Sequence, residues 1–203
     1  MRQFTIPLLT GLFCLGLVGH AYGDAPAAAK ECENCHGPGG VSKHKDIPTI
    51  AGMSAFYLDG QVMAYQKGQR PCPSTKYPDD PSKPATDMCK NAKKLSAADA
   101  TAVDKYFASQ KFMPAKQPFD AAAAARGKQI HAAECEKCHT EGGSVADDDA
   151  GILAGQWIAY LQETFKEYKS GKRIMEKKMK PAIDKLTPEK INDLVQYYAS
   201  EGK

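Results

Sequence analysis

The chain has 203 residues, with 27 basic against 24 acidic, a formal net charge of +3 and 42% hydrophobic residues. So even a balance leaves no electrostatic footprint for nucleic acid, and the length allows two small domains rather than one large core. Charge runs such as Asp147-Asp148-Asp149 and Lys177-Lys178 read as solvated faces, although such patches also steer partners.

At the N-terminus, Met1 and Arg2 precede an apolar run from Ile6 to Val18, and Ala21-Tyr22-Gly23 places small residues where a signal peptidase reads. This predicts export to the periplasm with cleavage near Gly23. The run is shorter than the roughly 18 residues a membrane span needs, and no later segment reaches that length, so no membrane span is expected. Cys14 is predicted to be lost with the signal.

Cys32-Glu33-Asn34-Cys35-His36 follows almost at once. Two cysteines three apart with a histidine directly after them are the attachment signature of c-type haem. On one helical turn the two thiols reach the two vinyl groups, and the adjacent imidazole is carried beneath the iron. A zinc knuckle would need a second pair of soft ligands nearby, and a redox disulfide would have no use for the histidine. The proximal ring needs its other nitrogen held by an acceptor, and a carbonyl near Pro48 is placed to do this.

Beyond Arg70 lies a segment with Cys72, then Met88-Cys89, then Leu95-Ser96. Setting aside Cys14 and the haem cysteines leaves Cys72 and Cys89, an even pair in an oxidising compartment, and a disulfide between them is expected. Ser96 with Asp99 three residues on is a capping-box start for a helix turning Val103, Tyr106 and Phe107 inward. Phe112 to Phe119 contains Pro114 and Pro118, has no helical period and reads as a linker.

After the linker the chain repeats itself. Asp120 can cap an alanine-rich helix that runs to Cys135-Glu136-Lys137-Cys138-His139, thinned at Gly127 where another helix could cross. Residues 32–70 align without a gap on 135–173 at an offset of 103: Ala51-Gly52 with Ala154-Gly155, Tyr57-Leu58 with Tyr160-Leu161, Arg70 with Arg173. Later the offset is 91, pairing Leu95-Ser96 with Leu186-Thr187, so the first copy carries 12 extra residues between Arg70 and Leu95. The position matching Gly127 is Asp24, which leaves the first copy a clipped N-terminal helix.

The second copy shows the same helical pattern. Trp157, Leu161, Phe165 and Tyr168 recur at helical spacing before Gly171, and Pro188 opens a last helix with the stripe Ile191, Leu194, Val195 and Tyr198. The fold class is therefore all-α: a signal peptide over 1–23, a first domain over 24–111, a linker over 112–119 and a second domain over 120–203. Each domain is small enough to depend on a buried haem for much of its apolar interior.

The repeat also points to the sixth iron ligand. Methionine sulfur opposite histidine suits an electron carrier. Met88 and Met179 lie seven residues before Leu95 and Leu186 and obey the offset of 91, whereas Met53, Met63, Met113 and Met175 have no such partner. Met175 is the alternative in the second copy, and core filling is the ordinary role of this residue. Gly151 aligns with Pro48 and keeps the carbonyl. Arg70 and Arg173, matched after the second helix, are candidates to pair with haem propionates or are simply surface arginines.

Two such domains in tandem resemble the periplasmic dihaem cytochromes built from class I cytochrome c domains. The second half, through Pro114 to Asp120, Cys135 to His139 with Glu141-Gly142-Gly143, Ile152 to Trp157 and Met175-Glu176-Lys177-Lys178-Met179, is similar to the cytochrome subunit of flavocytochrome c sulfide dehydrogenase. That resemblance implies two covalently bound haem c groups, no catalysis by this chain itself, an FAD-containing sulfide dehydrogenase subunit as electron donor and a downstream cytochrome as acceptor. A free dihaem shuttle between respiratory complexes is the alternative. A dihaem peroxidase would need an iron with an open position, which a methionine in each copy argues against.

Overall fold

The computed structural model describes residues 25–202, so the predicted signal segment lies outside the described residues. The first copy contributes α1 (Ala27–His36), α2 (Ala55–Gln66), α3 (Met88–Lys93) and α4 (Ala97–Ser109). The second contributes α5 (Ala121–Glu134), the single turn α6 (Thr140–Gly143), α7 (Ile158–Lys169), α8 (Lys180–Asp184) and α9 (Pro188–Ser200). The described residues form no strand, only one isolated antiparallel bridge between Thr75 and Thr86.

The repeat is built into the backbone. α2 and α7 are both 12 residues long and sit 103 apart, and α4 and α9 are both 13 residues long and sit 91 apart. Their starts are capped by the residues the sequence offers. Ser96 and Asp99 close a full capping box, Thr187 accepts from the Lys190 N–H, and Asp120 accepts from the Ala122 and Ala123 N–H groups. Gly52 and Gly155 take the left-handed conformation at φ 71° and 72°, which lets their N–H groups reach the last helix of their own copy at Phe107 O and Tyr198 O.

Each copy has its own apolar cluster. In the second, Leu161, Leu194, Val195 and Tyr198 are almost fully buried, each contributing roughly 1.5–3 kcal/mol by removal from water. α5 crosses α9 at Gly127, where an added Cβ would lie 2.0 Å from the Asp193 carbonyl oxygen, so the thinning glycine is a steric requirement. In the first, α1 starts only five residues before Cys32, and Ala29, Met53, Leu58, Val103 and Phe107 form the cluster. Ile152 of the second copy belongs to that cluster as well, so the two cores meet.

The segment 112–119 forms no helix or strand, and it is not a free tether. Ala115 N–H donates to Gly155 O, and the Gln117 amide accepts from Ile158 N–H and donates to Gln156 O, which caps α7 in place of a side chain on Trp157. The inserted residues of the first copy fold back over α1, with the Tyr77 hydroxyl donating to Glu31 at 2.9 Å.

Candidate functional site

The motif of the first copy closes α1, so Cys32 and Cys35 stand on one helical turn with His36 directly after them. Glu33, between the cysteines, accepts from Gly39 N–H at 2.8 Å and from the Tyr106 hydroxyl at 2.9 Å, tying the attachment loop to α4. His36 is buried and its Nδ1 donates to Pro48 O at 2.9 Å. A carbonyl can only accept, so this bond fixes the tautomer and leaves Nε2 as the basic atom. Burial holds the His36 pKa below its ordinary value in spite of that bond, and the ring stays neutral.

His36, Cys32, Cys35, Leu58, Met88 and Val103 line one cavity of about 570 Å³. Burial, with Glu31 and Asp104 adding to it, pushes the Cys32 thiol up to about 11. Met88 is half-buried on the cavity wall between two restraints: Asp87 caps α3 through Lys90 N–H at 2.8 Å, and Cys89 is disulfide-bonded to Cys72 with a Cα–Cα distance of 5.7 Å. Met53 also borders the cavity but is 3% exposed within the apolar cluster, while Met63 and Met113 are exposed. Two thiols, a neutral imidazole and a thioether around a largely apolar cavity fit a covalently attached haem.

The second motif also closes one turn, with Cys138 N–H and His139 N–H both donating to Cys135 O at 3.1 and 3.0 Å, but this turn stands apart from the preceding helix. α5 stops at Glu134, and Glu136 N–H reaches five residues back to His131 O at 2.9 Å. Glu136 braces this turn: its carboxylate meets His131 Nε2 at 2.6 Å and accepts from Glu141 N–H at 3.0 Å. His131 is itself buried, with Nδ1 3.0 Å from the Tyr198 hydroxyl. His139 is half-buried, and burial lowers its pKa. Cys135, Met175 and Met179 all pack against the second apolar cluster, so only the repeat singles out Met179. Among the described residues the Gly151 carbonyl makes no bond to His139; Gly151 packs instead against the hydroxyl end of Tyr57 of the first copy, which would lie 2.7 Å from an added Cβ.

Between the copies, residues related by the offset of 103 face one another. Arg70 and Arg173 are not surface arginines: they are 8% and 3% exposed, stacked on Tyr65 and Tyr168 at 4.3 and 4.7 Å. Both donate to one oxygen, Gln61 Oε1, at 2.7 and 3.1 Å. Glu167 lies 3.7 Å from Arg173, and Arg70 Nε has no partner among the described residues. Burial alone would raise the Tyr160 pKa, but the guanidinium groups of Arg173 and Arg70 outweigh it and bring it to about 8. Two buried cations with one adjacent carboxylate suit further anionic oxygens, as haem propionates provide.

Sequence reasoning missed Gln61, Asp104, His131 and Gln156. Two of them were signalled by breaks in the repeat: Asp104 stands where the second copy has Val195, and Gln156 where the first has Met53.

The family described as cytochrome c oxidase, cbb3-type, subunit III matches residues 122–197, within the second copy. The thiosulfate dehydrogenase electron acceptor of Thiomonas intermedia is 32% identical over 191 residues, covering 85% of this chain and 81% of its own length. Cytochrome c4 of Azotobacter vinelandii is 28% identical over 180 residues, 82% and 83% of the two chains. Among solved structures, reduced recombinant cytochrome c4 from Pseudomonas stutzeri superposes with a TM-score of 0.69 at 26% identity, covering 87% of this chain and 98% of that one. Thiosulfate dehydrogenase from Marichromatium purpuratum gives 0.66 at 25% identity, covering 83% of this chain but 36% of that one.

Proposed function

The chain belongs to the dihaem c-type cytochromes that include cytochrome c4 and the thiosulfate dehydrogenase electron acceptors, and from that membership we propose that it is the electron-accepting partner of a periplasmic dehydrogenase acting on reduced inorganic sulfur compounds. It carries two covalently bound haem c groups and transfers electrons without catalysis of its own. The dehydrogenase hands over electrons, and a downstream cytochrome takes them away.

When bound, each haem takes up and releases one electron. In this reading Cys32 and Cys35 tether the first and Cys135 and Cys138 the second, in domains spanning 24–111 and 120–203 joined by 112–119. His36 and Met88 hold one iron, His139 and Met179 the other. The Pro48 carbonyl orients the His36 ring, and the capped start of α3 with the Cys72–Cys89 bond keeps the Met88 sulfur in place. Arg70 and Arg173, buried at the seam between the copies, would bind haem propionates there.

The observation that carries the choice of donor is the 32% identity to a thiosulfate dehydrogenase electron acceptor over most of both chains. A second donor, an FAD-containing sulfide dehydrogenase subunit, is favoured by the second-half motifs from Pro114 to Met179. The exported protein should be mixed with thiosulfate and a thiosulfate dehydrogenase, and separately with sulfide and the flavoprotein, while haem reduction is followed. Donor-dependent reduction in the first mixture supports the main reading, and in the second alone the other. Equal rates with and without either enzyme would move the assignment to a free dihaem shuttle.

A further inference from the structure

We infer that Gln156, a residue of the second copy, is a positioning residue for the first haem and sets its reduction potential below the value the first copy would give alone. The inference rests on His36 being the proximal ligand of that haem. The key atom group is a single peptide unit, the amide joining Pro48 to Thr49. Its oxygen accepts from His36 Nδ1 at 2.9 Å, and its N–H donates to Gln156 Oε1 at 3.0 Å. Gln156 Nε2 returns a bond to Thr49 O at 2.9 Å, so the side chain grips the backbone from both sides. Gln156 is 0% exposed and Thr49 1%, which removes water as a competing partner.

An amide bonded at both ends is polarised by each bond, and each strengthens the other in a low-dielectric interior. The Gln156 oxygen therefore makes the Pro48 oxygen a better acceptor. A better acceptor draws the His36 Nδ1 proton outward and makes Nε2 a stronger donor to iron. A stronger donor favours the ferric state and lowers the potential. The grip itself is anchored, because Gln117 of the linker bonds Gln156 O and Ile158 N–H.

The second copy lacks this device. Met53, aligned with Gln156, has no amide to offer, and the aligned carbonyl at Gly151 makes no bond to His139 among the described residues. The seam thus makes two similar haem sites inequivalent.

The test is a redox titration of the full exported protein, with the haems assigned by the paramagnetically shifted methyl signals of their axial methionines. Gln156→Met, which copies the first-copy residue, should raise the potential of the first haem and leave the second unchanged. Trp157→Phe removes another bond across the same seam, Trp157 Nε1 to Ser42 O at 3.2 Å, without touching the Pro48–Thr49 amide, and should move neither. Gln156→Glu keeps an oxygen for Thr49 N–H, so the first potential should stay or fall, and this variant decides the matter if Gln156→Met does not fold. An unmoved first potential in Gln156→Met, equal shifts in both haems, an equal shift in Trp157→Phe, or a rise in Gln156→Glu would each overturn the inference. A wild-type spectrum without histidine–methionine ligation would instead refute the ligand assignment beneath it.

Discussion

Asp104→Asn should stabilise the first copy above neutral pH and do almost nothing in acid. Asp104 lies on α4, is 3% exposed, borders the cavity with Cys32 and His36, and has one carboxylate oxygen without a partner among the described residues. Burial first, and the nearby Asp59 second, raise its pKa from 3.8 to about 7. The folded protein therefore holds the proton more tightly than the unfolded chain. Ionisation costs no stability below the unfolded pKa, costs progressively more as pH climbs toward 7, and reaches a constant penalty above it. At about 1.4 kcal/mol per pKa unit the ceiling is roughly 4 kcal/mol, and relaxation and screening around the carboxylate reduce the expected gain to about 2 kcal/mol. The assay is denaturant unfolding at pH 4, 5.5, 7 and 8, followed through the weak far-red band of methionine-ligated ferric haem. The variant's advantage should be near zero at pH 4, grow to pH 7 and stay level to pH 8. An advantage independent of pH, or a wild type more stable at pH 8, would refute the reasoning.

Met88→Ala and Met179→Ala should each remove about half of that far-red band, while Met175→Ala should leave it whole; loss in Met175→Ala but not in Met179→Ala would show the repeat misaligned there. Cys89→Ser opens a loop whose ends are 17 residues apart and should cost the first copy roughly 3 kcal/mol in unfolding, with easier loss of Met88 from iron and little change at the second haem. Thiol labelling of the unreduced, denatured wild type should find neither Cys72 nor Cys89 reactive. Gly127→Ala forces a methyl group against the Asp193 carbonyl and should destabilise the second copy by roughly 1–3 kcal/mol, measured by unfolding at the second haem alone.

Much of this protein could be read from the order of its residues. Covalent haem attachment follows from two local motifs, and the helices, their caps and their lengths follow from short-range patterns that any copy of the segment must obey. The repeat added long-range information, because an offset of 103 or 91 carries one copy's assignment onto the other and separates Met88 and Met179 from the other methionines. Residues that break the repeat were harder to interpret, since a polar side chain on an apolar stripe has no meaning until its neighbours are known. Whether Asp104 faces water or a cavity, whether Arg70 and Arg173 are solvated or buried against Gln61, and whether Gln156 touches its own copy or the other are settled by how the two halves dock. Docking depends on contacts between residues about a hundred positions apart, and no local periodicity records them. Sequence alone therefore determined two similar haem-attachment motifs, and only the tertiary structure decided that their surroundings differ, because each copy presents the other with a different surface.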